Sequence, residues 1–272
     1  MKEELTRIVR ESENTLSAWN LAREYLQARI LGLLQETGAM IPLAFCGGTA
    51  LRFLYSLPRF SEDLDFSLAG KPGGFHLESC IERVVAGLSR EGYDISLKSR
   101  SVSAVQGTMI KFPGLPFELG LSPRTTQIMS IKVEVDTNPP PGAGLEVSMV
   151  RRFILLRLQH HDRSSLLAGK LHAVLVRNHT KGRDYYDLMW YMSDPDWPLP
   201  NMKLLRNALI QTGWTRDLVF SMDITLELKE KFQTVNWKDI RRDVTPFLER
   251  ASEAEFLTED NMLNLLERFI SR

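Results

Sequence analysis

The sequence predicts an α+β protein in which a small mixed sheet with its helices precedes a bundle of helices. Apolar residues recur at helical spacing before the first strand, and strand-like segments, the clearest at residues 127–136, follow. The proline-rich segment TNPPPGAG at residues 137–144 ends the strand structure, and helical periodicity resumes after it. We therefore predict two domains, 1–145 and 146–272.

The first domain should begin with a helix up to Glu36, in which apolar residues recur at spacings of three, four and seven. A short buried strand at residues 41–46 leads into a Gly-Gly turn and a helix that Pro58 stops. The later elements of this domain are expected to be strand 63–68, loop 71–74, amphipathic helix 76–91, and strands 94–102, 107–112 and 127–136.

The second domain is predicted to be helical, because apolar residues there recur at spacings of three and four. Pro246 should kink or shorten the helix that contains it. The expected helices cover residues 149–160, 164–178, 183–192, 201–212, 215–232, 236–249 and 258–269.

The composition is that of an ordinary globular protein, with 43% hydrophobic and 25% charged residues. The sequence contains no apolar run of about 18 residues that would predict a membrane span. The charged N-terminus is followed by no signal-peptide segment. Two cysteines, Cys46 and Cys80, are too few for a disulfide framework. We therefore expect a cytoplasmic protein.

Charge is balanced overall, with 34 basic and 34 acidic residues, but it is uneven along the chain. Eight basic residues lie between Arg151 and Arg183, against the single acid Asp162. A local basic face binds phosphates even on a neutral protein, although a solvated helix surface gives the same pattern. The candidates for contact with a nucleic-acid acceptor are Arg151, Arg152, Arg157 and Arg183.

The most informative segment lies between residues 46 and 67. Gly47, Gly48 and Thr49 form a turn at the start of a helix, where free N–H groups and close backbone approach suit phosphates. Asp63 and Asp65 lie two positions apart on a predicted strand, so their carboxylates point the same way. Two hard oxygen ligands that point to the same position suit Mg²⁺ or Mn²⁺. Together these features predict nucleotidyl transfer, although each alone also occurs for local structural reasons.

Two blocks of the sequence resemble a known family. CGGTALR at residues 46–52 and RFSEDLDFS at residues 59–67 resemble the AbiEii/AbiGii-type nucleotidyltransferase toxins, relatives of the polymerase-beta-like nucleotidyltransferases. LLAGKLHAVLVR at 166–177 and KGRDYYDL at 181–188 look like the lysine-bearing helix and the Arg-Asp-x-x-Asp-Leu segment of that family. The resemblance implies a polymerase-beta-like core, a nucleoside triphosphate substrate and Mg²⁺.

The resemblance also implies residue roles. Glu134 matches the third metal carboxylate of the family, with Asp136 on the same strand face as the alternative. Lys170 and Asp184 would act on the nucleotide, although a lysine at a helix edge and an aspartate cap are the plain structural interpretations. The i,i+4 spacing alone, rather than the resemblance, predicts that Asp187 pairs with Arg183. The predicted catalytic residues are Asp63, Asp65, Glu134, Lys170 and Asp184, and the predicted nucleotide-binding residues are Gly47, Gly48, Thr49, Arg52, Ser61 and Lys170.

The resulting prediction is a cytoplasmic, Mg²⁺- or Mn²⁺-dependent nucleotidyltransferase that acts as the toxin of a toxin–antitoxin pair. The resemblance implies an RNA acceptor, the 3′ end of tRNA, and a cognate antitoxin protein. Two alternatives stay open: transfer to a protein hydroxyl or to a small molecule such as an aminoglycoside, and a non-enzymatic domain that only binds a partner. Zinc is excluded because the histidines lack ligand spacing.

Overall fold

The computed structural model describes residues 1–70, 75–102, 104–214 and 221–271. The predicted loop 71–74 and the first six residues of the predicted helix 215–232 lie outside the described residues. The chain divides into two compact units. The first comprises residues 1–56, 60–139 and 145–160, and the second comprises residues 57–59, 140–144 and 161–272. The first unit therefore continues past the predicted boundary at residue 145.

A seven-stranded mixed sheet forms the centre of the first unit. Its strands are β1 (Leu43–Cys46), β2 (Leu64–Leu68), β3 (Ser96–Val102), β4 (Val105–Pro113), β5 (Ile128–Asp136), β6 (Leu145–Arg152) and β7 (Ile154–His161). Their order across the sheet is β3-β4-β5-β2-β1-β7-β6. β2 pairs parallel with β5 and antiparallel with β1, and β1 pairs parallel with β7. The predicted strands before residue 137 are confirmed.

Helices of the first unit cover one face of this sheet. A Cβ atom added at Gly32 would meet the Ile154 side chain at 2.7 Å, so the long helix that contains Gly32 packs directly on β7. That face carries the buried side chains Phe45, Phe66 and Leu156. The helices of this unit are α1 (Lys2–Arg10), α2 (Thr15–Glu36), α3 (Gly47–Tyr55), α4 (Leu77–Arg90) and the single turn α5 (Leu115–Glu118).

The predicted helix at residues 149–160 is wrong, because this segment lies in β6 and β7. Apolar residues in the sequence VSMVRRFILLRLQ satisfy both a period of two and a spacing of three or four, so pattern alone does not separate strand from helix. Phe153, with a φ of 61°, is the single residue between the two strands. Buried and exposed residues then alternate along β7. The prediction that strands end at residue 144 is wrong for the same reason.

The second unit contains six helices among its described residues. They are α6 (Arg163–Val176), α7 (Gly182–Ser193), α8 (Met202–Gln211), α9 (Ser221–Thr234), α10 (Trp237–Val244) and α11 (Glu259–Ile270). Pro246 shortens its helix as predicted, since α10 ends at Val244 and a 3-10 turn, Thr245–Phe247, follows. No helix among the described residues is long and apolar enough to span a membrane.

Candidate functional site

Asp65 and Glu134 lie side by side on neighbouring parallel strands. Asp65 of β2 is the register partner of Glu134 on β5, and on its other side it faces Cys46 at the end of β1. Register partners present their side chains on the same face of a sheet. The structure thus places two of the three predicted metal carboxylates next to each other, and Asp65 lies next to the start of α3, which follows Cys46.

The Gly-Gly turn and the Asp65 carboxylate are in close contact. Gly47 has a φ of 74°, and a Cβ atom built there would lie 2.5 Å from Asp65 Oδ2. Glycine is therefore required at this position for its backbone conformation and for the space that the carboxylate occupies. Because Gly47 begins α3, the N-terminal amides of this helix lie beside the Asp65 carboxylate.

Asp63 immediately precedes β2 rather than lying within it. Leu64 is buried, whereas Asp63 and Asp65 on either side of it are only half-buried, as expected for alternation across a sheet. The Thr49 hydroxyl donates a hydrogen bond to the Asp63 carbonyl oxygen. This bond fixes the start of β2 to α3.

Glu134 and Asp136 differ in their surroundings, although they share one face of β5. Glu134 forms an ion pair with Lys132, with 2.7 Å between Nζ and Oε2. Asp136 Oδ1 accepts a hydrogen bond of 2.9 Å from the Asn138 backbone N–H, closing the turn after the strand. Burial raises the pKa of Asp136, against the opposing effect of that hydrogen bond. Asp136 therefore has a local structural partner, and Glu134 is the carboxylate in register with Asp65.

The donor chemistry at this site fits Mg²⁺ or Mn²⁺. No set of three His, Cys, Asp or Glu side chains that could hold a metal is present among the described residues. Mg²⁺ does not need such a cage, because it is usually held by one or two carboxylates together with substrate phosphates. A pair of neighbouring carboxylates beside a helix N-terminus supplies the protein part of that ligand set.

Arg52, predicted to bind nucleotide, is buried against α2. Its Nε donates a hydrogen bond of 3.0 Å to Glu24 Oε2, and its guanidinium lies 4.6 Å from the centre of the Phe60 ring. Arg152, predicted to bind the acceptor, forms an ion pair with the other oxygen of Glu24. The shared carboxylate ties α2, α3 and β6 together, so both arginines have a structural partner.

Ser61 lies in the connection between α3 and β2, where it is half-buried. Its carbonyl oxygen accepts a hydrogen bond of 3.0 Å from Gln27 Nε2 of α2. This bond anchors the backbone two residues before Asp63. The structure thus gives the Ser61 backbone a role in positioning the carboxylate segment.

Lys170 and Asp184 meet in the second unit, where they form part of a larger group of charges. Lys170 Nζ lies 2.8 Å from Asp184 Oδ1 and 2.7 Å from Asp187 Oδ2. Asp187, whose side chain is 0% exposed, also accepts two hydrogen bonds of 2.6 Å from the Arg59 guanidinium. Arg177 forms an ion pair with Asp184. We call these five residues, Arg59, Lys170, Arg177, Asp184 and Asp187, the lysine cluster.

The lysine cluster favours the charged forms of Lys170, Arg59 and Asp184. Burial alone would lower the pKa of Lys170 and of Arg59, but the facing carboxylates raise both. Burial alone would raise the pKa of Asp184, but Lys170 and Arg177 lower it. Three cations and two carboxylates leave an excess of one positive charge within the cluster. Such an excess suits a phosphate group.

Sequence reasoning missed Arg59 and placed Asp187 incorrectly. Asp187 bonds to Arg59 and Lys170 instead of pairing with Arg183. The Arg183 guanidinium lies 4.2 Å from the centre of the Phe247 ring. The available signal was the spacing of Asp184 and Asp187, which puts both carboxylates on one face of α7 and predicts a shared cation.

The chain matches the family model of the nucleotidyl transferase AbiEii toxin, of type IV toxin–antitoxin systems, over residues 29–259. The chain belongs to the AbiEii family. As an AbiEii protein it is a nucleotidyltransferase and a toxin of that system, which confirms the predicted family and enzyme class. The matched residues include both the carboxylates of the first unit and the lysine cluster.

Solved structures support the same fold for this AbiEii protein. A candidate nucleotidyltransferase from H. pylori aligns with a TM-score of 0.55 and 19% identity, over 92% of this chain and 93% of that one. The protein JHP933 from Helicobacter pylori aligns with a TM-score of 0.54 and 19% identity, over 93% and 94% of the two chains. A comparison with curated proteins finds no match.

Proposed function

We propose that this AbiEii protein transfers a nucleoside monophosphate from a nucleoside triphosphate to an RNA 3′ hydroxyl, such as the 3′ end of tRNA, with Mg²⁺ or Mn²⁺. The observation that carries the proposal is the register of Asp65 with Glu134 beside the Gly47 turn. We assign the first unit as a polymerase-beta-like core and the second as a helical bundle that supplies the lysine cluster.

In the proposed reaction the acceptor hydroxyl oxygen bonds to the α-phosphorus. The bond from the α-phosphorus to the bridging oxygen breaks, pyrophosphate leaves, and the hydroxyl proton passes to solvent or to a carboxylate. The amides of Gly47, Gly48 and Thr49 at the start of α3 bind phosphate oxygens. Asp65 and Glu134, which lie in register, would hold the divalent ion together with substrate phosphates, with Asp63 as the third predicted carboxylate, and the ion would neutralise charge on the phosphates.

Lys170 is proposed to bind the triphosphate. An ammonium group has three N–H donors, and the contacts with Asp184 and Asp187 use two of them. The third can donate to a phosphate oxygen. Asp184 and Asp187 hold the ammonium group in place, and Arg59 fixes Asp187 through two parallel hydrogen bonds.

The acceptor proposal rests on family membership and on the basic residues. Arg151, Arg157 and Arg183 are the proposed contacts with acceptor phosphates, whereas Arg152 supports α2 through Glu24. Membership of the family also implies a cognate antitoxin. The proposed location is the cytoplasm, where nucleoside triphosphates and RNA are both present.

The test uses purified protein with each of the four labelled nucleoside triphosphates, Mg²⁺ and total cell RNA. Label should appear on RNA with wild-type protein, and the rate should fall at least about 100-fold for Asp65→Asn and Glu134→Gln. Asp136→Asn, which changes the neighbouring carboxylate, should retain most activity. Label on protein or on an aminoglycoside instead of RNA would support the alternative acceptors, and absence of transfer to every acceptor would contradict the proposal.

A further inference from the structure

An exposed face on the β6–β7 hairpin is not explained by the site described above. Val147, Met149 and Leu155 are 52%, 67% and 50% exposed, although all three are apolar. They lie on one side of the hairpin, because exposed residues alternate with more buried ones along both strands. Contiguous exposed apolar side chains on a folded protein commonly mark a binding surface.

The same side of the hairpin carries positive charge. Arg151 and Arg157 occupy alternating positions with the apolar residues, and both are exposed. Over residues 145–160 the acidic residue is Glu146, whose even-numbered position puts it on the opposite side, with Arg152. We call Val147, Met149, Arg151, Leu155 and Arg157 the hairpin face.

The hairpin face lies on the side of the sheet that carries the metal carboxylates. Phe45 of β1 is in register with Phe66 of β2 and with His160 of β7, so these three side chains share the helix-covered side. Asp65, one position from Phe66, and the odd-numbered residues of β7 point to the other side. Glu134 shares that side, because it is in register with Asp65.

The distances across and along the sheet suit an extended polymer that lies on the hairpin face and ends at Asp65 and Glu134. Strands lie about 4.8 Å apart, so β7 is about 10 Å from β2 and β6 about 14 Å from it. Because a single residue joins β6 and β7, the strands run antiparallel. Val147 is therefore near the level of Asp65, and Arg151 lies four residues, or about 13 Å, further along β6. Leu155 lies six residues, or about 20 Å, from His161 along β7.

We propose that the hairpin face binds the single-stranded 3′ end of the acceptor RNA, which rests on the proposed function. Arg151 and Arg157 contact phosphates, and the bases lie against Val147, Met149 and Leu155. Unpaired RNA offers both chemistries, because its bases are splayed out and its backbone is anionic. A second copy stacked on this face would bring arginines of both copies together without a carboxylate between them, which disfavours that occupant.

The test measures binding of a labelled single-stranded RNA of 12 nucleotides with a 3′ hydroxyl. The double variant Arg151→Ala with Arg157→Ala should weaken binding about 10-fold or more. It should also lower the slope of log affinity against log salt by about 1.4, for two lost contacts. The double variant Met149→Ser with Leu155→Ser should weaken binding several-fold with an unchanged slope, because it removes no charge.

Matched controls are Arg10→Ala and Ile41→Ser, which change an exposed arginine and an exposed isoleucine outside the hairpin. Both should bind RNA as wild type does, and all variants should keep wild-type nucleotide affinity. Equal effects of hairpin and control variants would overturn the proposal. Sedimentation showing a wild-type dimer that Met149→Ser dissociates, with unchanged RNA affinity, would assign the face to a second copy instead.

The outcome also separates this inference from the proposed function. If wild-type protein labels RNA but the hairpin variants bind it normally, only the docking surface is wrong. If wild-type protein neither binds nor labels RNA and labels protein instead, the acceptor class itself is wrong. In that case the hairpin face would be tested against the labelled protein with the same variants, and the RNA proposal would be abandoned.

Discussion

At the scale of a single residue, Gly47 joins the two parts of the proposed nucleotide site, the start of α3 and the Asp65 carboxylate. Its positive φ turns the chain from β1 into α3, and its missing side chain leaves room for the Asp65 carboxylate. The missing side chain at Gly47 therefore allows the N-terminal amides of α3 to lie close to the Asp65 carboxylate. Conformational strain and direct contact are separate effects here, and a second glycine of this chain allows them to be measured separately.

Gly47→Ala should reduce transfer at least about 100-fold, because the new methyl group displaces Asp65. The left-handed conformation should also cost about 1–2 kcal/mol of stability. Gly92→Ala is the matched control, since Gly92 has a φ of 88° with no atom within 4 Å of an added Cβ. It should lose similar stability and keep activity. Equal activity of the two variants would contradict a direct role for the Gly47–Asp65 contact.

Asp187→Asn should destabilise the protein by about 3–5 kcal/mol, because it leaves Arg59 buried without its charged partner. Asp239→Asn removes the exposed partner of Arg242 and should change stability little. Urea unfolding of both variants provides the comparison. A loss below about 1 kcal/mol for Asp187→Asn would show that the Arg59 pair contributes little to the fold.

These two residues also show what sequence can reveal about the site. Gly47 and Asp65 were predictable together, because the turn and the carboxylate strand are close in the chain and have a recognisable order. The pair of Arg59 and Asp187 joins residues 128 positions apart, so only the folded chain reveals it. Sequence also could not reveal the surroundings of Arg52: it lies four residues after Gly48, and folding buries it against Glu24 of α2.

At the scale of elements, the sequence predicted strands well where one periodicity was clear. β5 alternates apolar and polar residues along its whole length, and the strand was found where it was predicted. The β6–β7 hairpin was mistaken for a helix, because its apolar residues also satisfy helical spacing and Phe153 is not a usual turn residue. Long-range pairing of β7 with β1 decides between the two possibilities, and a local pattern contains no information about that pairing.

The packing of α6 against α7 through the lysine cluster should make stability depend on pH. The pKa of Asp184 is lowered in the folded state, so its contribution is present above its ordinary value of 3.8 and is lost as pH falls below that value. Asp184→Asn should therefore be less stable than wild type at pH 7 and should show a weaker loss of stability between about pH 4 and pH 2.

Denaturant unfolding across this pH range measures the effect, with Asp239→Asn as the control. At alkaline pH the cluster's contribution to stability changes in the opposite direction, because it is lost as pH rises. The folded pKa of Lys170 is raised, so its contribution is present below pH 10.5 and is lost as pH rises through the higher folded value. If the free energy of unfolding depends on pH in the same way for wild type and for Asp184→Asn, the cluster does not stabilise the charged Asp184 carboxylate.

At the scale of the whole molecule, each of the two units carries its own group of predicted site residues, and the two units are built differently. The first unit has carboxylates on a sheet, and the second has a lysine held by buried aspartates on a helix. The balanced net charge does not oppose RNA binding, because the arginines of the hairpin face are grouped on one side of one sheet. Local grouping, rather than total charge, then determines where a polyanion binds.

Removing the metal should abolish transfer activity and leave the stability of the fold nearly unchanged. EDTA should abolish transfer, and Mg²⁺ or Mn²⁺ should restore it, because the carboxylates alone cannot neutralise the charge that develops on the phosphates. The unfolding temperature should change little, since no three-residue metal site that could stabilise the fold is present among the described residues. Asp63→Asn and Asp65→Asn should show the same pattern, with lost transfer and near-normal unfolding. Activity that survives EDTA would disprove the metal role, whereas unfolding on EDTA treatment would show that the ion is structural as well.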